Sequence, residues 1–327
     1  MKILYFYISS YSFGNGHYVR AQSYKEKFIK KNCFFKIKNL VNEQDNMIYD
    51  FSELNDQINK SDYSFFDISN KLFFNKKKNL KYLKIIFNLY AHKIIIIDGL
   101  NKEIISNKLR YNFKTVIIPY IFNKKSLNII KGVKYFKGIK YFINKDVKIY
   151  NYKKKSKEKN ILFTSGGSDT ENSTLKFLNL FKSLNLKLVK LFILLGPNFK
   201  KINIQKIKNF CKKKNFSIKL LKFKKDIHSN IFDKDLVITS SGLTKYDLLF
   251  LKKPFLVFLE NKYQRLINKE FKKKFDNFYL EDLSYCKKNL IIVKNAICDQ
   301  KYMNNYYKKV NNIKMNDFET IYNFIKK

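Results

Sequence analysis

Residues Ile161–Asn172, ILFTSGGSDTEN, leave few options for the local fold. Ile161 to Thr164 are apolar or β-branched and suit a short buried strand. Gly166 and Gly167 follow, and Ser168, Asp169 and Thr170 are each able to cap a helix. That helix continues through Leu175, Leu178 and Phe181. A turn of this kind offers backbone N–H groups at a positive helix end, which suits a phosphate. It is equally the form of an ordinary βα turn with a C-cap glycine.

Composition makes the glycines informative. Of the 67 basic residues, only Arg20, Arg110 and Arg265 are arginine, and tryptophan is absent. Lys, Asn, Ile, Phe and Tyr are all abundant, the profile of a chain encoded in AT-rich DNA. Under that pressure glycine is rare, with nine in 327 residues, against roughly 7% in average usage. Those that remain belong where nothing else fits. Most fall in four short places: Gly14 with Gly16, Gly166 with Gly167, Gly196, and Gly242.

A chain of this length predicts two domains with their own cores. The formal charge of +41 suggests nucleic acid at first sight. Yet the lysines run along the whole chain, with no arginine-rich patch and no nucleic-acid module. Codon bias is the better account, and no specific nucleic-acid partner is expected. The charge favours polyanionic ligands and weak association with anionic lipid surfaces. Cys33, Cys211, Cys286 and Cys298 are too widely spaced for a zinc site or disulfide framework. The opening MKILYFYISSYS reads as a polar-interrupted strand rather than a signal peptide. No apolar run approaches the ~20 residues needed to span a membrane. These features point to the cytoplasm.

Taken in order, residues 2–8 form a strand and the loop Ser9–Gly16 follows. His17 opens a helix that runs to about Lys31. Gly14, Asn15, Gly16 and His17 then stand at the C-terminal end of a strand, where open α/β sheets bind ligands. Positive charge is disfavoured at a helix N-terminus, which suits His17 to accept a proton; a helix-capping or hydrogen-bonded structural histidine is the other reading. Further elements are a strand at 33–40, a helix near 51–59, a strand at 63–66 and a helix around 70–87. HKIIIID (92–98) is a buried strand ending on Asp98, a residue that faces a cleft or caps the next helix. Thr115–Ile118 is another strand, stopped by Pro119. The alternation implies a mostly parallel sheet with helices on both faces.

Residues 148–160 are charged and aperiodic, as in a linker. Beyond them come strand 160–164, helix 169–184, strand 187–195, the turn at Gly196, helix 202–214 and strand 217–222. A short helix near 226–231 and strand 235–239 lead to the turn Ser240–Thr244. Helix 244–252, strand 254–259, helix 262–275 and an amphipathic helical tail over 299–327 complete the chain. Two Rossmann-like α/β domains facing across a cleft, with glycine turns at their strand ends, resemble the GT-B architecture. The domains span 1–150 and 151–327, and Gly14–His17 and Gly166–Asp169 are expected to face the same cleft.

GNGHYVRA (14–21) resembles the G-x-G-H-x-x-R segment of the UDP-sugar hydrolases of the pseudaminic acid pathway. Those enzymes release UDP from a 2,4-diacetamido-2,4,6-trideoxy-β-L-altropyranose donor. LFTSGGSDTEN (162–172) is similar to the family's GGSD-x-x-N segment. SSGLTKYDLLFLKKPFLVF (240–258) resembles its G-x-T-x-x-E helix and following strand, and ENKYQ (260–264) its N-Q region. GVKYFKGIKYF (132–142) resembles its tyrosine-bearing stretch. The ordered set covers most of the chain and extends to related glycosyltransferases and spore-coat polysaccharide proteins.

The resemblance implies that His17 activates a water and that Gly14, Asn15, Gly16, Arg20, Asn261 and Gln264 contact substrate. Gly166, Gly167, Ser168, Asp169, Gly242, Thr244 and Asp247 would hold the nucleotide, Asp247 at the ribose. The chain departs from the family at FYISSYS on the first strand and loop, at Ala21 in place of cysteine, and at Asp247 in place of glutamate. The implied activity is hydrolysis of a UDP-sugar for surface-glycan (nonulosonic acid) biosynthesis. A GT-B glycosyltransferase with a UDP-sugar donor and a non-catalytic nucleotide-sugar-binding protein are the alternatives. No carboxylate cluster has metal-ligand spacing, so no metal or other cofactor is expected.

Overall fold

Strands that are apolar at every position must be covered on both faces. Ile94–Ile97 is such a run: Ile94 and Ile96 enter one core, Ile95 and Ile97 the other. The computed structural model describes residues 1–10, 16–42, 46–97, 113–121, 131–146, 157–186, 188–212, 217–223, 227–260, 264–265, 268–280, 283 and 287–326. Its two units are Met1–Asp146 with Lys314–Lys327, and Val147–Ile313.

The first unit holds β1 (Lys2–Tyr7), β2 (Phe34–Asn39), β3 (Tyr63–Asp67), β4 (Ile94–Ile97), β5 (Thr115–Ile118) and β6 (Lys134–Lys137). All pair in parallel, in the order β2-β1-β3-β4-β5-β6. Among its described residues before the linker the helices are α1 (Gly16–Ile29), α2 (Phe51–Asn59), α3 (Lys71–Phe74) and α4 (Lys77–Leu89). The chain steps from β1 to β2 on one side, then returns to place β3 on the other. Right-handed crossovers therefore put α1 and α4 on opposite faces. Ala21, Tyr24 and Phe28 of α1 join Tyr5 and Phe65 in one core. Leu83, Ile86 and Phe87 of α4 join Phe6 and Phe66 in the other.

In the second unit, β7 (Lys159–Thr164), β8 (Val189–Leu195), β9 (Ile218–Lys222), β10 (Leu236–Ser240) and β11 (Phe255–Phe258) form a parallel sheet, ordered β11-β10-β7-β8-β9. Its helices are α5 (Ser173–Lys182), α6 (Lys201–Lys212), α7 (His228–Ile231), α8 (Thr244–Phe250), α9 (Lys269–Lys274), α10 (Lys287–Cys298) and α11 (Gln300–Val310). Each sheet thus reverses its direction of growth once, between β1 and β3 and between β7 and β10. The C-terminal ends of those pairs flank the crevice where such sheets take ligands.

The two-sheet α/β architecture read from the sequence is the one observed. Several bounds differ. Helix α5 starts at Ser173 rather than 169, because Asn172 adopts a left-handed conformation (φ 53) that ends the preceding loop. The helical stretch read over 70–87 is two helices, β6 is an added strand, and α10 lies outside the predicted tail. Within that tail, α12 (Phe318–Lys326) belongs to the first unit rather than to a second domain running to 327. It inserts Phe318, Ile321 and Ile325 into the Tyr5–Phe28 core, with Phe318 and Phe28 edge-on at 4.8 Å. Most of the linker, together with Gly14, Asn15, Asp98, Cys286 and Asn261, lies outside the described residues. Among the described residues no helix is long and apolar enough to cross a membrane.

Candidate functional site

The switch point of the first sheet gathers a buried cluster of coupled charges. His17 and Arg20 lie three residues apart on α1 and so share a face. Asp67 ends β3 and has no exposed surface. Its carboxylate has four polar contacts, three of them donations. Arg20 Nε reaches Oδ2 and Arg20 Nη2 reaches Oδ1, both at 2.6 Å. Tyr5 OH donates to Oδ2 at 2.9 Å, and His17 Nδ1 stands 2.6 Å from Oδ1. Arg20 Nη1 donates to the hydroxyl of Tyr120, which follows β5, and the guanidinium carbon lies 5.6 Å from that ring's centroid.

Burial alone would raise the Asp67 pKa, but the Arg20 charge, His17 and their hydrogen bonds hold it well below the carboxylate range. Burial alone would weaken Arg20 as a base, and Asp67 reverses that. Burial, then Asp67, pushes the Tyr5 hydroxyl upward, so it stays a donor. His17 is 13% exposed, and its Nε2 has no partner among the described residues. The structure therefore brings His17 and Arg20 together, as read, but spends the Arg20 guanidinium on Asp67 and Tyr120. Asp67, Tyr5 and Tyr120 were missed. The available signal was an acid closing the buried run YSFFD, the pattern that singled out Asp98.

In the second unit the loops after β7 and β10 are tied together, with Ser240 Oγ donating to Ser165 O at 3.1 Å. Gly166 has φ +85, and Gly196 is pressed onto the loop from the turn after β8. A Cβ on Gly196 would lie 2.2 Å from Gly166 O and 2.6 Å from Gly167 O, whereas one on Gly167 would meet nothing within 4 Å. Gly196→Ala is accordingly expected to cost about 1–3 kcal/mol as the loop is forced aside. Gly167→Ala should stay within about 0.5 kcal/mol. Urea unfolding of the two variants tests this contrast, and equal losses would refute it.

Asp169 is buried and accepts from Thr174 N at 3.3 and 3.4 Å. An internal carboxylate thus occupies the start of α5, where the sequence suggested N–H groups free for phosphate. Burial raises the Asp169 pKa against those hydrogen bonds. Ser168 is half-buried beside it. On the β10 side, Gly242 is exposed, Thr244 begins α8, and the Asp247 carboxylate lies 4.0 Å from His228 Nε2. Lys245 is buried, donates to the carbonyls of Ser241 and Gly242, and is pushed down to about 7 by burial.

Gln264 works as a strut. Its Oε1 accepts from Ser241 Oγ at 2.8 Å and Glu260 N at 2.9 Å, and its Nε2 donates to Glu260 Oε2 at 3.0 Å. Glu260 Oε1 in turn accepts from Ser173 Oγ at 3.1 Å. Burial raises the Glu260 pKa from 4.5 to about 7, against the Gln264 and Ser173 bonds and aided by Asp169 and Glu171. A carboxyl whose folded pKa is raised stabilises fully below its unfolded value and loses that contribution as pH climbs through the folded one. Glu260→Gln, whose amide can satisfy both partners, is therefore expected to gain stability relative to the parent between pH 4.5 and 7, by up to about 1.4 kcal/mol per pH unit. A variant offset independent of pH in urea titrations would contradict this. Among the described residues no three His, Cys, Asp or Glu side chains are grouped to share a metal ion.

No family model matches the chain. A stretch of 154 residues is 31% identical to the uncharacterized protein MJ1062 of Methanocaldococcus jannaschii, covering 46% of this chain and 31% of that one. The chain thus spans about a third of that relative's length. Among solved structures it is similar to Acinetobacter baumannii MurG, with TM-score 0.67, 12% identity and 99% of each chain covered. It is also similar to the spinosyn rhamnosyltransferase SpnG (TM-score 0.65, 8% identity, all of both chains) and to S. aureus MnaA with UDP (TM-score 0.57, 12% identity, 99% of this chain and 96% of that one). At such identities the likeness is one of fold, and the fold is GT-B.

Proposed function

We propose that this chain is a nucleotide-sugar hydrolase acting on a UDP-activated diacetamido-trideoxy sugar, with His17 as the general base. The observation that carries the reading is the His17–Asp67 pair at the switch point of the first sheet. One ring nitrogen is anchored to a buried carboxylate and the other is left to accept a proton. In the proposed step a water oxygen attacks the anomeric carbon and gives its proton to His17 Nε2. The bond from that carbon to the diphosphate oxygen breaks, and UDP leaves with the electron pair. The second unit takes the UDP portion, through the 165–169 loop, the turn at 241–243 and the start of α8, with Asp247 at the ribose. Gln264 supports that turn through Ser241. The substrate would come from the cytoplasmic nucleotide-sugar pool.

The GT-B fold and the MnaA structure, a co-structure with UDP, support a nucleotide-sugar ligand. The glycosyltransferases among the fold neighbours favour a second reading, in which a sugar hydroxyl replaces water at the same base. Incubation with a panel of UDP- and CMP-sugars, products identified by NMR and mass spectrometry, separates the two. Free sugar plus UDP without any acceptor supports hydrolysis. Release of UDP only when an acceptor is added supports transfer, and no turnover of any donor refutes both.

A further inference from the structure

We infer that Asp67 is a positioning residue: it fixes the His17 ring as the Nδ1–H tautomer and leaves Nε2 as the basic nitrogen. The inference deepens the reading of His17 as a base, and its first test does not depend on that reading. It rests on counting donors. A carboxylate offers about four lone-pair positions. Arg20 Nε, Arg20 Nη2 and Tyr5 OH occupy three, all within 2.9 Å. The fourth partner is His17 Nδ1, 2.6 Å from Oδ1. With the proton on Nε2 instead, a bare Nδ1 lone pair would face an anionic oxygen at that distance.

A competing donor exists, because Arg20 Nη2 also lies 3.3 Å from Nδ1. Nη2 carries a second hydrogen, but at 3.3 Å that contact is long, and a bare Nδ1 would still face Oδ1 at 2.6 Å, so the shorter contact decides the tautomer. Arg20 cannot release a proton or accept one. Its role is to hold the carboxylate plane at two points, so that Oδ1 meets the His17 ring in one orientation. Tyr120 fixes the far side of the guanidinium. The ring is thus held through Tyr5 within β1, Asp67 at the end of β3 and Tyr120 after β5, strands of one sheet.

The test is nitrogen-15 NMR of protein labelled at histidine. The chain has three histidines, and the signals missing from a His17→Asn sample identify His17. The expected result is a protonated Nδ1 and an unprotonated Nε2 in the unmodified protein. A protonated Nε2 with a bare Nδ1 would overturn the proposal, whatever the variants do. In Asp67→Asn the amide group presents a donor to some of these partners, so His17 is expected to shift towards the opposite tautomer. Turnover should then fall about a hundred- to ten-thousandfold at nearly unchanged KM. Unchanged kcat in a folded Asp67→Asn protein would also overturn the proposal. If that variant does not fold, the tautomer of the unmodified protein still decides. The expected tautomer with no sugar nucleotide turned over would sink the hydrolase reading and leave the positioning role standing.

Discussion

His17→Asn should remove turnover while leaving UDP affinity almost unchanged. The asparagine amide can still donate to Asp67 Oδ1, so no buried acceptor is orphaned and the fold should survive. What is lost is a nitrogen able to take a proton from the nucleophile. Loss of a positioned general base lowers kcat about a hundred- to ten-thousandfold. Because the base acts only in the chemical step, the loss falls on kcat rather than on ground-state binding. Calorimetric UDP binding and product formation on the same variant check both halves. Turnover within a few-fold of the parent would make His17 a helix-start histidine and end the proposed mechanism. Collapse of UDP binding together with turnover would put His17 in the nucleotide pocket or the fold instead.

Arg20→Met should give the largest loss of stability. Asp67 would remain fully buried and lose its bidentate partner, keeping only the His17 and Tyr5 contacts. Removing one member of a buried ion pair costs about 3–5 kcal/mol, because the other charge stays behind uncompensated. The pH dependence gives a sharper test. In the parent the Asp67 pKa is depressed, so its contribution is present above the unfolded value of 3.8 and lost below it. Without Arg20 the largest remaining influence is burial, which raises the pKa and reverses the sign. The variant should then recover part of its loss as the carboxyl is protonated on acidification. Urea unfolding near pH 7 and again in mild acid checks this. A loss under about 1 kcal/mol, or one identical at both pH values, would mean that Asp67 is not held as a buried anion by Arg20.

The fold was legible because its strands are apolar throughout and its scarce glycines punctuate strand ends. Ile94–Ile97 and Leu236–Ser240 are readable as buried parallel strands from composition alone. Gly196 was flagged by scarcity, and its reason, contact with the backbone of Gly166 and Gly167, exists only in three dimensions. The start of α5 was misplaced because Ser168, Asp169 and Thr170 all have capping chemistry. The choice was made by Asn172, which turns left-handed and lets Asp169 accept from Thr174 N across the loop. Asp67 escaped for a different reason. It is fifty positions from His17 in the chain, and nothing local pairs them; the parallel register that sets Tyr7 beside Asp67 does so. Gln264 was read as a ligand contact from the resemblance of ENKYQ to a family segment, and what only the structure shows is that its amide joins Ser241 to Glu260.

The packing of α12 onto the first sheet has a consequence for biosynthesis. A ribosome makes Met1–Asp146 first, but the core around Tyr5, Phe28 and Phe65 is completed by Phe318, Ile321 and Ile325. Until those residues emerge, an aromatic surface stays open to solvent or to a chaperone. The second unit has no such dependence, being complete at Ile313. A nascent chain stalled with residue 313 just clear of the exit tunnel should be cut by protease within 1–146 and resist it within 157–313. Equal resistance would show that the first sheet closes without its last helix. The half of the chain translated first is thus expected to be the half that reaches its final form last.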